Sequence, residues 1–107
     1  MKTIHNKLVR DRIPAIIRAD GKIAKTEVLS EPNFKHALLQ KLVEEAQEVQ
    51  NARPEELATE LADLLEVFDT IIEAFGLTQD EVMVRQKERW KSRGGFAKRI
   101  KLIEVNS

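Results

Sequence analysis

Apolar positions recur at three- and four-residue spacing over two long stretches of this chain and one shorter one, a period that predicts helices rather than strands. In the first stretch Phe34, Leu38, Leu42, Val49 and Ala52 fall on one face at about 100° per residue. Ser30, ahead of Pro32, supplies a capping side chain and a first-turn proline, and the pattern runs to about Asn51. Arg53-Pro54 breaks it. A second helix starts near Pro54, carries Leu57, Leu61, Leu64, Leu65, Phe68, Ile71 and Ile72 on its core face, and stops at Phe75 ahead of Gly76. Thr78-Gln79-Asp80-Glu81 is a capping box that opens a third helix ending before Gly94-Gly95. Pro14 marks a short N-terminal helix and Asp20-Gly21 a turn, while Lys22 to Leu29 is a short extended stretch or a loop. The tail from Phe96 to Val105 alternates apolar and basic residues, as a short strand or an arm on a partner subunit would. The expectation is an all-α fold: a helical bundle of about three main helices with a short N-terminal helix and an extended C-terminal tail.

Acidic residues interrupt this pattern where water should be scarce. Glu45 falls inside the apolar stripe of the first long helix, with Lys41 and Glu48 at its edge and Glu44 further round. On the second helix Glu60 and Asp63 lie at the border of the core face with Val67, whereas Glu66, Asp69 and Glu73 project from the other side as ordinary surface acids. Like charges at helical spacing cost roughly 0.2 to 0.5 kcal/mol per pair, and an unpaired carboxylate within an apolar stripe costs more. Two readings satisfy Glu45: a divalent cation held by facing motifs, or an ion-pair network with Lys41 and the basic tail. A cation held only by oxygens would be a hard ion, magnesium or manganese, since zinc favours His or Cys. His5 and His36 fall outside both acidic motifs and read as surface or packing residues.

Composition narrows the class further. The 107 residues suit one domain spanning 1–107, and so small a core gains from an interface with another copy. The absence of cysteine removes disulfides, thiolate nucleophiles and zinc fingers, and no apolar run approaches the roughly 20 residues of a membrane span. A soluble, cytoplasmic protein is expected. The formal net charge of zero conceals segregation. Arg53 is the only basic residue between Glu44 and Glu81. Glu88 is the only acidic one between Arg85 and Lys101, among Arg85, Lys87, Arg89, Lys91, Arg93, Lys98, Arg99 and Lys101. There is no GxxxxGK loop and no GxSxG elbow. Gly94-Gly95 reads as a helix terminator, or as a turn whose amides join Lys91, Arg93 and Lys98 around phosphate. Trp90 suits a core or an interface better than base stacking.

Glu44-Glu45-Ala46-Gln47-Glu48 followed by Glu60-Leu61-Ala62-Asp63 on consecutive helices resembles the EExxE and ExxD signature of the all-α nucleoside triphosphate pyrophosphohydrolases. These form the MazG-like and phosphoribosyl-ATP pyrophosphohydrolase superfamily. The opening block from Asn6 to Pro14 and the closing block from Arg93 to Ile100 are similar to those of a small MazG-like subgroup, so the resemblance covers nearly the whole chain. It implies magnesium, or manganese in its place, on Glu45, Glu48, Glu60 and Asp63. It also implies catalytic roles for Glu44, Glu45 and Glu48, with Glu44 orienting water or holding a second ion. Lys41 and members of the set Arg85, Lys91, Arg93, Lys98 and Arg99 would neutralise the substrate phosphates. A bundle completed by homo-oligomerisation, as dimer or tetramer, is implied as well. Many relatives carry an asparagine a few residues beyond ExxD, but here the stretch reads Glu66-Val67-Phe68-Asp69-Thr70, so base and sugar preference does not transfer.

The function expected on this basis is metal-dependent cleavage between the α and β phosphates of a nucleoside triphosphate, giving a monophosphate and pyrophosphate, in a house-cleaning role. Two rivals belong to other classes. One is a metal- and nucleotide-binding regulatory protein without turnover. The other is a nucleic-acid-binding helical oligomer using the basic tail, which the acidic helices disfavour.

Overall fold

A computed structural model describes residues 1–107 and contains helices and no strands. The elements are α1 (Ile13–Ala19), α2 (Glu31–Asn51), a 3₁₀ turn (Pro54–Glu56), α3 (Leu57–Ala74) and α4 (Gln79–Arg93). The all-α expectation holds. The segment from Lys22 to Leu29 is a loop, and the tail beyond Gly94 forms a turn in which the Arg99 amide donates to the Phe96 carbonyl, not a strand. Its alternating pattern has no neighbouring strand to pair with, and an isolated strand leaves its backbone groups unpaired.

Each boundary has a local cause. The Ser30 hydroxyl accepts from the Asn33 amide at 3.3 Å and opens α2, and the Thr78 hydroxyl accepts from the Glu81 amide at 3.1 Å and opens α4. Pro54 holds Arg53 extended, so α2 ends and the chain reverses within a few residues into a helical hairpin. Gly76 takes φ +70°, a left-handed conformation that glycine adopts without strain, and its amide caps α3 on the Glu73 carbonyl.

The chain divides into two compact units, Met1–Gly76 and Leu77–Ser107. In the first, α2 packs along α3 around Leu38, Val67 and Ile72, the three buried apolar residues of the chain. Lys35 adds a cation–π contact, its ammonium 5.5 Å from the centre of the Phe75 ring. In the second unit the Trp90 indole lies close to Gly95, where a β-carbon would come within 3.2 Å of its Nε1. Trp90 itself is mostly exposed.

The α2 stripe is as expected: Leu38 is buried, and Phe34, Leu42, Glu45, Val49 and Ala52 are half-buried. The α3 assignment needs correction. Val67, expected at the border, is buried, whereas Leu57, Leu61, Leu65 and Phe68 are 39 to 56% exposed. The side of α3 turned to α2 carries Glu60, Asp63, Leu64, Val67 and Ile71, roughly 100° round the helix from the leucine stripe. Apolar residues occupy both faces, and their joint centre lies on neither. Asp69 is also half-buried rather than on the solvent side, where Glu66 and Glu73 do lie.

Candidate active site

The acidic motifs meet because the hairpin sets the C-terminal half of α2 beside the first turns of α3. Glu45 is four residues beyond Lys41 on the stripe that α2 turns to its neighbour, and Glu60 and Asp63 are one turn apart on the matching side of α3. All three carboxylates are half-buried, and one oxygen from each lies within 4.8 Å of the others. This is a cation-seeking arrangement: three negative charges whose mutual repulsion is only partly screened by water.

Glu60 registers that repulsion. Desolvation raises its pKa, and the neighbouring charges of Glu48, Asp63, Glu45 and Glu56 add to the rise. Glu48 is exposed and outside the three-carboxylate cluster, yet near enough to act on Glu60 through its charge.

Cations already surround the cluster. Arg10 donates from Nη2 to Asp63 Oδ1 at 2.8 Å. Lys41 Nζ lies 3.2 Å from Glu44 Oε1 and 3.5 Å from Glu45 Oε1, and Lys7 donates to that same Glu44 oxygen at 3.0 Å. Glu44 therefore faces lysines rather than the other acids. Desolvation pushes its pKa up, but the hydrogen bonds and charges of Lys7 and Lys41 outweigh this and hold it below the usual glutamate range. Both sequence readings of Glu45 thus have a counterpart: an ion pair with Lys41 and a place in a three-carboxylate cluster.

Of the basic residues singled out in the sequence, Lys41 is at the acidic edge, whereas Arg85, Lys91 and Arg93 lie on α4 and Lys98 and Arg99 in the tail, all in the second unit and exposed. His5 and His36 are exposed and absent from the cluster. Lys7 and Arg10 were not among the expected site residues. They reach Glu44 and Asp63 across 37 and 53 residues of sequence, and no periodicity spans such distances. The signal available was the block Asn6 to Pro14, with its basic residues before a proline-initiated helix.

The donor set fits a hard cation. Three carboxylate oxygens with an open solvent side suit magnesium, which keeps several waters and shares its remaining positions with phosphate oxygens. Zinc would find no nitrogen or sulfur here. No helix is long and apolar enough to cross a membrane.

No curated protein and no solved structure was found to match the sequence. The family model described as phosphoribosyl-ATP pyrophosphohydrolase matches residues 17–89, a span that holds α2, α3 and every acid of the cluster. With more than half of its length so matched, the chain belongs to the phosphoribosyl-ATP pyrophosphohydrolase family, within the MazG-like superfamily of all-α pyrophosphohydrolases.

Proposed function

We propose that this chain is a magnesium-dependent nucleoside triphosphate pyrophosphohydrolase that cleaves between the α and β phosphates, leaving a monophosphate and pyrophosphate. Manganese is the alternative ion. The observation that carries the reading is the convergence of Glu45, Glu60 and Asp63 from two helices, within a span matched to a pyrophosphohydrolase family.

In this reading Glu45, Glu60 and Asp63 would hold the ion, and Glu48 would add its negative charge to theirs. The bound ion would supply Lewis-acid stabilisation of charge developing on the phosphates and a more acidic water. The protein's own part is electrostatic and positional. Half-buried carboxylates fix the site on two packed helices, so little reorganisation is needed when the substrate arrives. Glu44, kept ionised by Lys7 and Lys41, is an acceptor able to orient a water, and Lys41 neutralises phosphate charge. The cations Arg85, Lys91, Arg93, Lys98 and Arg99 serve the same end on this reading.

The proposal includes a single functional domain over residues 1–107 and a homo-oligomer, dimer or tetramer. The exposed stripe Leu57, Leu61, Leu65 and Phe68 supports the latter, because contiguous apolar surface on one helix face is stabilised when another copy covers it. A reducing compartment such as the cytoplasm suits a chain without cysteine.

The test is pyrophosphate release from a panel of canonical and modified nucleoside triphosphates and phosphoribosyl-ATP, with magnesium, with manganese and with chelator. Release from some member, dependent on metal, is expected. A folded protein that binds magnesium and releases pyrophosphate from none of them would be a binding protein and not a hydrolase.

A further inference from the structure

The segment preceding α1 lays two side chains on the hairpin, Lys7 on α2 and Arg10 on α3. Asn6, at φ +47°, bends the chain just before Lys7, in a region that asparagine tolerates better than most residues. Half-buried Leu8 lies over α2, and between segment and helix is a cleft of about 140 Å³. Its polar wall is made by Asn6, Lys7, Gln40, Lys41 and Glu44.

Two ammonium groups share one Glu44 oxygen, at 3.0 and 3.2 Å, and Lys41 lies 3.5 Å from Glu45 as well. Each ammonium has three N–H donors, and a single oxygen cannot accept them all. The Asn6 and Gln40 amides add further donors. Once a cation on the cluster of Glu45, Glu60 and Asp63, one turn along α2, neutralises Glu45, Lys7 and Lys41 face the single carboxylate of Glu44, and the surplus positive charge with its unspent donors suits an anion. The size of the cleft selects the anion. Pockets for drug-sized ligands run to roughly 300–1,000 Å³, so this one admits a phosphate group and not a nucleoside.

We propose that the cleft between the Asn6–Leu8 segment and α2 is an anion subsite, in which Lys7 and Lys41 hold a phosphate group of the substrate beside the acidic cluster. Lysine serves phosphate as a point charge with rotatable donors, so the lysines need only turn from Glu44 toward the ligand. Lys41 also couples the two halves of the site. A cation on Glu45 weakens the hold of that carboxylate on Lys41 and frees the ammonium for phosphate, so each ligand favours the other reciprocally. That the phosphate is part of a nucleotide rests on the hydrolase reading; that a phosphate binds there does not.

The experiment is calorimetric titration of the full chain with inorganic pyrophosphate, with and without magnesium, comparing wild type with Lys7→Gln, Lys7→Arg and the exposed control Lys2→Gln. Circular dichroism checks that each is folded. Loss of a charge-assisted hydrogen bond predicts a roughly tenfold weaker affinity in Lys7→Gln, near-complete recovery in Lys7→Arg and no change in Lys2→Gln. Manganese binding stays unchanged in Lys7→Gln, and for a hydrolysed nucleotide KM rises by the same factor while kcat holds. Equal pyrophosphate affinity in wild type and Lys7→Gln, or no binding by wild type under either condition, would overturn the subsite. If wild type hydrolyses nucleotides while Lys7→Gln matches it in affinity and KM, the subsite fails and the hydrolase reading stands. If Lys7-dependent pyrophosphate binding occurs without turnover of any nucleotide, the subsite stands and that reading fails.

Discussion

Repulsion at Glu60 has a sign that can be followed with pH. Desolvation and the charges of Glu48, Asp63, Glu45 and Glu56 raise its folded-state pKa above the ordinary 4.5. A carboxyl whose pKa rises on folding destabilises the fold once ionised, so the penalty is complete above the folded-state value and gone below the unfolded-state one. Glu60→Gln is therefore expected to raise the Tm of the metal-free protein at pH 7, a gain that shrinks as the pH falls through the folded-state value and is gone once it is below the unfolded-state one. On the proposed reading magnesium raises the Tm of wild type, a stabilisation of about 2.7 kcal/mol at a hundred times Kd, and the same variant should lose that shift. Glu44 has the opposite sign: its lowered pKa stabilises above the unfolded-state value, and that support is lost as pH falls through the folded one. For turnover, Glu45→Gln and Asp63→Asn should each cost more than the roughly 10- to 100-fold typical of groups that only support a ligand, with helicity by circular dichroism intact. Glu73→Gln, on the exposed side of α3, should stay within about twofold of wild type.

Helix α3 has two apolar faces; the chain covers the one turned to α2 and, on the other, Ile72, and leaves Leu57, Leu61, Leu65 and Phe68 exposed. Charging the other tests what covers it: Leu65→Glu is expected to lower the molecular mass seen by sedimentation to that of one chain, and an unchanged mass would remove the leucine stripe as the interface. On the covered side, Leu38→Ala should cost about 2 to 5 kcal/mol by denaturant unfolding, because Leu38 is 2% exposed and shares the core with only two other buried residues. These elements also show what the sequence makes legible. The starts and stops of α2, α3 and α4 follow from Ser30, Pro54, Gly76, Thr78 and Gly94, whose effects are local and act within a turn. The inward face of α2 is equally readable, because polar residues leave a single stripe through Leu38 and Glu45. The inward face of α3 is not, since leucines and isoleucines span an arc wide enough for two faces, and a wheel cannot say which is met by α2. The acids Glu45, Glu60 and Asp63 lie on readable turns of consecutive helices and meet, while the Lys7 and Arg10 contacts depend on the path of the whole N-terminal segment.

At the scale of the whole molecule, the Met1–Gly76 unit gathers acids between α2 and α3 and sets Lys7, Arg10 and Lys41 beside them, a pairing of charges that on the proposed reading suits a metal–polyphosphate, itself bipolar. Family membership gives the general reaction class, and the acids of the hairpin are the site proposed for it. On the proposed reading Lys41, half-buried and therefore weakly screened, keeps its effect on a bound phosphate at high ionic strength, so KM should rise only modestly with salt. The most direct measurement is identification and counting of the products formed from a hydrolysed nucleoside triphosphate by wild type and by Asp63→Asn, with magnesium and with chelator. Equal amounts of nucleoside monophosphate and pyrophosphate, from wild type and only with metal, are the predicted result. Diphosphate and inorganic phosphate instead, or turnover that survives the chelator or the Asp63→Asn change, would contradict the account.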